Sequence, residues 1–431
     1  MKVNVGLVGF GTIGTGVVRL LGEQGELLSK RSGVSVSLER IVDIDLERGR
    51  GVDTGHALLS SRFEDIIDDP SIEIVIELVG GTTVAKEIVT RALRAGKHVV
   101  TANKALLYEY GEELFQLAID RQRELRYEAS VAGGIPIIRV IMESLAGDRI
   151  STIYGIVNGT TNFILTRMIQ EQWSFEAALK RAQELGFAEA DPTLDIDGSD
   201  ARHKLAVLAA LAFRCRIDKS RIAKEGIQHI DLTDVLYAKE LGYVVKLLAI
   251  AKESDGEVSL RVNPTLVPEQ CALANVSNEF NAVMLQSRFL GDSLYVGRGA
   301  GANPTATAVV ADVVDLAVRL VGKQEFNANA YAPIHDYPTK SYQDTRSRFY
   351  LRLATEERAG ILAVITKILG DHGISISAII QKEAAGDQPI PIVLLTRQAL
   401  ERDLRDAVQA INELSFVRGP TVILHIEDIR L

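Results

Sequence analysis

Residues 3–14 read Val-Asn-Val-Gly-Leu-Val-Gly-Phe-Gly-Thr-Ile-Gly, and their reading decides the fold of the first part of the chain. The apolar run at 3–8 predicts a buried strand, and an amphipathic stretch at 12–28 predicts the helix that follows it. Between them Gly9, Gly11 and Gly14 form G-x-G-x-x-G. In that context Gly9 permits a tight turn, Gly11 lets the backbone approach a pyrophosphate, and Gly14 allows close helix–strand packing. The helix N-terminus supplies the anion site. A glycine-rich turn without a ligand has the same letters; the placement after a first strand favours a dinucleotide.

Working outward, strands are predicted at 38–42, 74–78, 98–101 and 125–130. A helix at 84–95 is stopped by Gly96. This is a doubly wound parallel α/β domain, Rossmann-like, over residues 1–150. From 151 to 323 the pattern becomes α+β, with strands at 151–157, 258–262 and 293–296, and a helix at 198–213. A further helix follows Asn303 and Pro304, which suit an N-cap and a first helical position. Residues 324–345 have no clear period and read as a linker. Residues 346–431 read strand 349–354, helix 360–369, strands 374–381 and 390–396, helix 400–414 and strand 422–426. That βαββαβ order is the ferredoxin-like split motif.

At ~150 residues per domain, 431 residues predict three domains. Hydrophobic residues at 47% and charged ones at 24% describe an ordinary globular chain and exclude disorder. A net charge of −9 gives no footprint for nucleic acid or an anionic membrane. No apolar run reaches the ~18 residues needed to span a bilayer, and the glycines at 9–14 interrupt any signal-peptide pattern, so the expected location is cytoplasmic. Cys215 and Cys271 form neither a disulfide framework nor a C-x-x-C pair.

Three charged features remain. After the second strand, Asp43 or Asp45 would accept from the ribose hydroxyl of NAD, whereas Arg48 and Arg50 would accept the 2′-phosphate of NADP. Both cofactors stay open. Lys104, in Thr-Ala-Asn-Lys just past strand 98–101, lies where a nicotinamide or substrate would sit in an open α/β sheet, although a helix-start lysine is usually solvated. The run 186–204 crowds Glu189, Asp191, Asp195, Asp197 and Asp200 ahead of Lys204. Asp200 and Lys204 share a helical face, the spacing of an ordinary ion pair. The surrounding carboxylates repel one another unless a cation, such as an amine-bearing substrate, is brought to them.

Taken in order, GFGTIG, ELVGG (77–81), TANK, EASVAGGIP (128–136), NGTTN (158–162), GFAEADP, D-x-D-G-x-D-x-x-x-K and GAGANPTA (299–306) resemble homoserine dehydrogenase of the longer bacterial form with a C-terminal ACT domain. The resemblance implies reversible NAD- or NADP-dependent interconversion of L-aspartate 4-semialdehyde and L-homoserine, on the route to threonine, isoleucine and methionine. It places the proton-transferring lysine at Lys204 and a second active-site lysine at Lys104. Glu189 then holds the substrate amine, with Asp200 beside it and Asn158, Gly159 and Thr160 lining the site. Phe187 stands where some members have tyrosine. Gly9, Phe10, Gly11, Thr12, Ile13, Gly14, Asp43, Lys104 and Gly301 are expected at the cofactor. A monovalent cation, Na+, is expected on main-chain oxygens of Glu128, Val131, Gly133 and Ile135. Also implied are a homodimer or homotetramer formed through the middle domain, and L-threonine as effector near residues 357–361 and 371–375 of the ACT segment. There the chain has Glu357, Arg358, Ala359, Gly360 in place of the usual D-x-P-G.

Two other enzyme classes fit less well. Aspartate-semialdehyde dehydrogenase needs a cysteine nucleophile, and neither cysteine sits in a turn after a strand. A 2-hydroxy-acid dehydrogenase would use a histidine, and His203 lies off the Asp200–Lys204 face. A non-catalytic amino-acid sensor would have no reason to retain Lys104, Glu189, Asp200 and Lys204 together.

Overall fold

The computed structural model describes residues 1–324, 332–382 and 389–429. They fall into two compact units. The first comprises Met1–Ile150, Ala206–Arg216 and Tyr295–Asp336, and the second Ser151–Leu205, Ile217–Leu294 and Tyr337–Leu431.

In the first unit the apolar runs become β1 (Lys2–Val8), β2 (Ser35–Val42), β3 (Leu58–Ser60), β4 (Ile74–Glu77), β5 (His98–Thr101) and β6 (Leu125–Arg126). They form one parallel sheet in the order β3-β2-β1-β4-β5-β6. The direction of winding reverses between β1 and its neighbours β2 and β4, which places a crevice at the carboxyl ends of β1 and β4. Val5, Leu7, Ile74, Val75, Ile76, Val99 and Val100 are wholly buried because helices cover both faces of the sheet. The strand expected at 125–130 stops at Arg126, and Glu128–Ser130 is a 3-10 turn.

Helix Ala302–Val321 belongs to this unit, not to the middle of the chain as its sequence position suggests. Its residues Ala306, Val309, Val310, Val313 and Leu316 share a core with Val17 and Val18 of helix Thr12–Ser32. The two helices come close because position 16 is glycine: a Cβ there would lie 2.9 Å from the Ala302 carbonyl oxygen. The helix is capped by Gly301, at φ +116°, rather than by Asn303. The expected linker contributes residues 332–336 here through a bridge between Cys215 and His335; its residues 325–331 lie outside the described set.

The second unit is built on a mixed sheet. Its strands are β7 (Ile150–Ile156), β8 (Ala223–Lys224), β9 (Tyr243–Ser254), β10 (Glu257–Pro268), β11 (Phe280–Ser287), β12 (Gly291–Arg298), β13 (Arg346–Thr355), β14 (Ile376–Gln381), β15 (Ile390–Thr396), β16 (Ala399–Leu400) and β17 (Val422–Ile426). The order is β12-β11-β7-β9-β10-β17-β13-β15-β14, with β8 on β10 and β16 on β13. The long hairpin β9–β10 turns at Asp255 and Gly256, both with positive φ, the requirement of a tight two-residue turn that matches strand twist.

The C-terminal strands, with helices Ile361–Asp371 and Glu401–Asn412, have the expected βαββαβ order and the sheet order β17-β13-β15-β14. They are not appended as a separate layer. β17 pairs in parallel with β10, Thr265 opposite His425 and Leu266 opposite Ile426, so a single sheet runs through both parts. Arg352 on β13 reaches the wholly buried Asp234 at 2.6 Å, and Tyr350 donates to the same carboxylate at 3.2 Å. The three-part division expected from length therefore becomes two units, because strand pairing across 160 residues leaves no mark on local periodicity.

Candidate active site

The glycines of the first turn do what their spacing implies. Gly9 has φ +101°, and a Cβ on it would lie 2.5 Å from the Leu78 backbone. A Cβ on Gly14 would collide with the Gly9 carbonyl, while one on Gly11 would meet nothing, leaving an open approach to the start of helix Thr12–Ser32. Phe10 is buried within this turn; Thr12 and Ile13 open the helix. Asp43, just past β2, accepts the Phe10 N–H at 2.6 Å and the Asp45 N–H at 2.9 Å. Arg50 pairs with Asp43 at 3.2 Å, donates to the Phe10 carbonyl at 2.6 Å and lies over the Phe10 ring. The acidic and basic candidates for ribose recognition thus sit together, and both brace the glycine turn.

At the carboxyl ends of β4 and β5, buried Glu77 accepts from Thr101 Oγ1 at 2.6 Å and from the Val79 N–H at 2.9 Å. Burial pushes its carboxyl up, against those hydrogen bonds. Asn103 donates to the Gly81 carbonyl and caps helix Lys104–Asp120 through the Leu106 N–H. Lys104 is therefore the first residue of a side-chain-capped helix, at the sheet edge where its motif put it. Glu77 was not singled out in the sequence, although it opens the ELVGG motif.

Glu128 is buried, and its two oxygens accept the Ile138 and Arg139 N–H groups at 2.9 Å each. Its own N–H donates to Asp312. Burial, with Asp312 second, pushes Glu128 up to about 7, and burial pushes Asp312 to about 6. The loop through Val131, Gly133 and Ile135 is buried except for Gly134, turns through Ala132 at φ +49°, and already uses the Ile135 carbonyl to accept the Ile137 N–H at 2.7 Å. The Glu128 carboxylate is thus spent on backbone; carbonyl oxygens are what this loop offers a cation, a hard-donor set suited to Na+ and not to a soft metal.

In the second unit Lys204, Asp200 and Asn158 form one buried cluster. Lys204 Nζ donates to Asp200 Oδ2 at 2.7 Å and to the Val157 carbonyl at 2.6 Å. Asn158 Nδ2 donates to the same Asp200 oxygen at 2.9 Å and to Asp195 at 2.8 Å. Its Oδ1 caps helix Gly159–Gln170 by accepting the Thr161 N–H. Burial, then the charge of Asp200, raises the Asp195 carboxyl. Gly159 must be glycine, since a Cβ would lie 2.7 Å from the Glu279 carbonyl. Thr160 Oγ1 donates to the Phe187 carbonyl at 2.6 Å, tying the NGTT turn to the acidic loop. Glu189 is exposed on that loop; among the described residues no hydrogen bond joins its carboxylate to the cluster. Asp195 stands closer to the centre than the sequence implied. Asp191 and Asp197 do not join it: Asp191 caps Thr193, and Asp197 pairs with Lys224.

A glycine-fingerprint parallel sheet in one unit, and a buried lysine–carboxylate cluster in another, define a nicotinamide-dependent oxidoreductase. Residues 9–128 match the model for the homoserine dehydrogenase NAD-binding domain and residues 136–314 the model for homoserine dehydrogenase. The chain is 41% identical to homoserine dehydrogenase of Neisseria gonorrhoeae, with 99% of each chain covered, and 41% identical to that of Bacillus subtilis, with 96% of each covered. A solved homoserine dehydrogenase of Thiobacillus denitrificans superposes with a TM-score of 0.93 at 42% identity over 99% of both chains. A hyperthermophilic archaeal homoserine dehydrogenase solved with NADPH matches 73% of this chain and 97% of its own at 26% identity and a TM-score of 0.59. The chain belongs to the homoserine dehydrogenase family. No described helix is long and apolar enough to cross a membrane.

Proposed function

We propose that the chain interconverts L-homoserine and L-aspartate 4-semialdehyde with Lys204 as the proton-transferring residue. The observation that carries this reading is a lysine buried to 8% exposure whose ammonium is aimed by Asp200 and the Val157 carbonyl. In the reducing direction a hydride adds to the aldehyde carbon and a proton to its oxygen; in the other direction both leave the alcohol. NAD or NADP, when bound at the Gly9–Gly14 turn, supplies or takes the hydride. Lys204 gives its proton to the developing alkoxide, and its positive charge stabilises that oxygen beforehand. Asp200 orients the ammonium, and Asn158 fixes Asp200. Glu189 pairs with the substrate ammonium. Lys104 is the second lysine, held by the Asn103 cap, and Gly301 belongs to the cofactor pocket.

The same reading assigns a structural Na+ to main-chain oxygens of Glu128, Val131, Gly133 and Ile135. It also assigns a homodimer or homotetramer, a place in threonine, methionine and isoleucine synthesis, and inhibition by L-threonine through the C-terminal βαββαβ segment acting as an ACT domain. The test is absorbance at 340 nm with homoserine and either NAD or NADP. Lys204→Ala is expected to lower kcat ~10²- to 10⁴-fold while cofactor affinity is kept. A near-normal kcat removes Lys204 from the mechanism.

A further inference from the structure

At the carboxyl edge of the parallel sheet, β4 and β5 end on two residues that packing alone does not call for. Glu77 closes β4 and Thr101 closes β5, directly opposite each other in register, and both are wholly buried. Their chain neighbours Ile76 and Val100 are apolar and equally buried. A carboxylate removed from water costs stability unless its oxygens find donors, so an aliphatic residue would serve the sheet better than Glu77 does. The donors come from the two segments that leave the sheet here. Glu77 Oε1 accepts the Val79 N–H at 2.9 Å, and its Oε2 accepts the Thr101 hydroxyl at 2.6 Å.

The contacts continue past Thr101. Its Oγ1 gives its one proton to Glu77 and accepts the Asn103 N–H at 3.0 Å. Asn103 then fastens both sides: Nδ2 donates to the Gly81 carbonyl at 2.6 Å, and Oδ1 accepts the Leu106 N–H at 3.0 Å as the cap of helix Lys104–Asp120. The loop 79–81 needs such a hold. Gly80 and Gly81 stand at φ +74° and +64°, and a Cβ on either would meet nothing, so neither backbone preference nor packing fixes it. Lys104 follows Asn103 at the first position of its helix. A continuous strut therefore runs from a buried carboxylate, through a hydroxyl and a carboxamide, to the residue before that lysine.

We propose that Glu77 and Thr101 are positioning residues for the reaction: through Asn103 they set where Lys104 begins its helix relative to the loop after β4, at the sheet edge where ligands of such folds bind. A lysine has four rotatable carbons, so its ammonium is aimed only as well as its backbone is fixed. The buried carboxylate thus stabilises one placement of Lys104 at some cost to the sheet. This rests on the reading of Lys104 as an active-site lysine, a reading that does not itself require the strut.

The experiment is a double-mutant cycle on the full chain, reading kcat at 340 nm and, without substrate, the Kd of NAD and NADP by calorimetry. Thr101→Val keeps the branched shape and removes the hydroxyl. It is expected to lower kcat ~10-fold or more with cofactor Kd kept, because a small misplacement of a reacting group is that costly. Thr101→Ser, which restores the hydroxyl, is expected to recover the rate. In a Lys104→Ala background Thr101→Val should cost less than ~2-fold more, the mark of residues that act through one another. If Thr101→Val does not fold, Glu77→Gln runs the same cycle, since a carboxamide has one oxygen and cannot accept from both Thr101 and Val79. Losses that multiply in full, a cofactor Kd that weakens in step with kcat, or a Thr101→Val enzyme as fast as wild type each overturn the strut and leave the Lys104 reading standing. Lys104→Ala with near-normal kcat overturns that reading and, with it, the role given to Glu77 and Thr101.

Discussion

Asp200 and Lys204 stand four residues apart, a spacing that on an exposed helix is worth only ~0.3–0.5 kcal/mol. Here the two side chains are 9% and 10% exposed, so water does not replace a lost partner. Asp200→Asn should therefore lower kcat by more than its steric change warrants, because the charged partner that aims the ammonium is gone. Steady-state kinetics showing an unchanged kcat would make the pair ornamental. If Glu189 pairs with the substrate ammonium as proposed, Glu189→Gln should instead raise KM for homoserine and leave the cofactor KM in place, since only a charge is removed. An unchanged KM returns Glu189 to the role of solvated loop. The two carboxylates looked alike in the sequence. Motif and spacing point to Asp200, Lys204 and Glu189 as candidates; which of them is buried cannot be read from sequence, because burial depends on strands and turns distant in the chain, such as Val157 and Asn158.

At the scale of elements, buried lysine on β9 sets a pH dependence. Lys246 is 1% exposed, donating to the Val276 carbonyl at 2.5 Å and to Asn162 Oδ1 at 3.1 Å. Desolvation pushes its ammonium down to about 7. Below pH 7 folded and unfolded chains both carry the proton, and folding bears the full burden of burying it. Between about 7 and the ordinary lysine value the unfolded chain binds more protons, so this group's contribution to stability rises with pH. Denaturant titrations at pH 7 and 9.5 should show a smaller rise in stability for Lys246→Met than for wild type; an equal rise means Lys246 does not titrate there. The strand that holds it leaves a mixed signal in the sequence. Asp255-Gly256 between two apolar stretches is a strong hairpin signal, but the run 243–254 is apolar almost throughout and lacks the alternation that separates a strand from a buried helix. Elements with a terminal marker, such as β5 before TANK or helix 84–95 before Gly96, were legible to within a residue or two.

The whole molecule is joined by pairings that no local pattern encodes. The C-terminal βαββαβ order is legible strand by strand, and the aperiodic stretch ahead of it predicts an independent segment. β17 nonetheless lies against β10, and Val258 N–H donates to the Pro338 carbonyl, so the segment closes an edge of the sheet built on β9 and β10. Cutting the chain near Gln324 would strip β10 of that neighbour, leave Asp234 buried without Arg352 and Tyr350, and expose an apolar strand edge. Removing one partner of such a buried pair typically costs ~3–5 kcal/mol, a large share of a domain's stability. The truncated chain is therefore expected to melt well below the full one and to aggregate, rather than to survive as an unregulated enzyme. Thermal melting with light scattering checks this directly: a truncated chain with the full-length Tm and full activity would mean the shared sheet adds nothing to the catalytic half. Regulation is for the same reason better tested by point substitutions that keep the sheet intact.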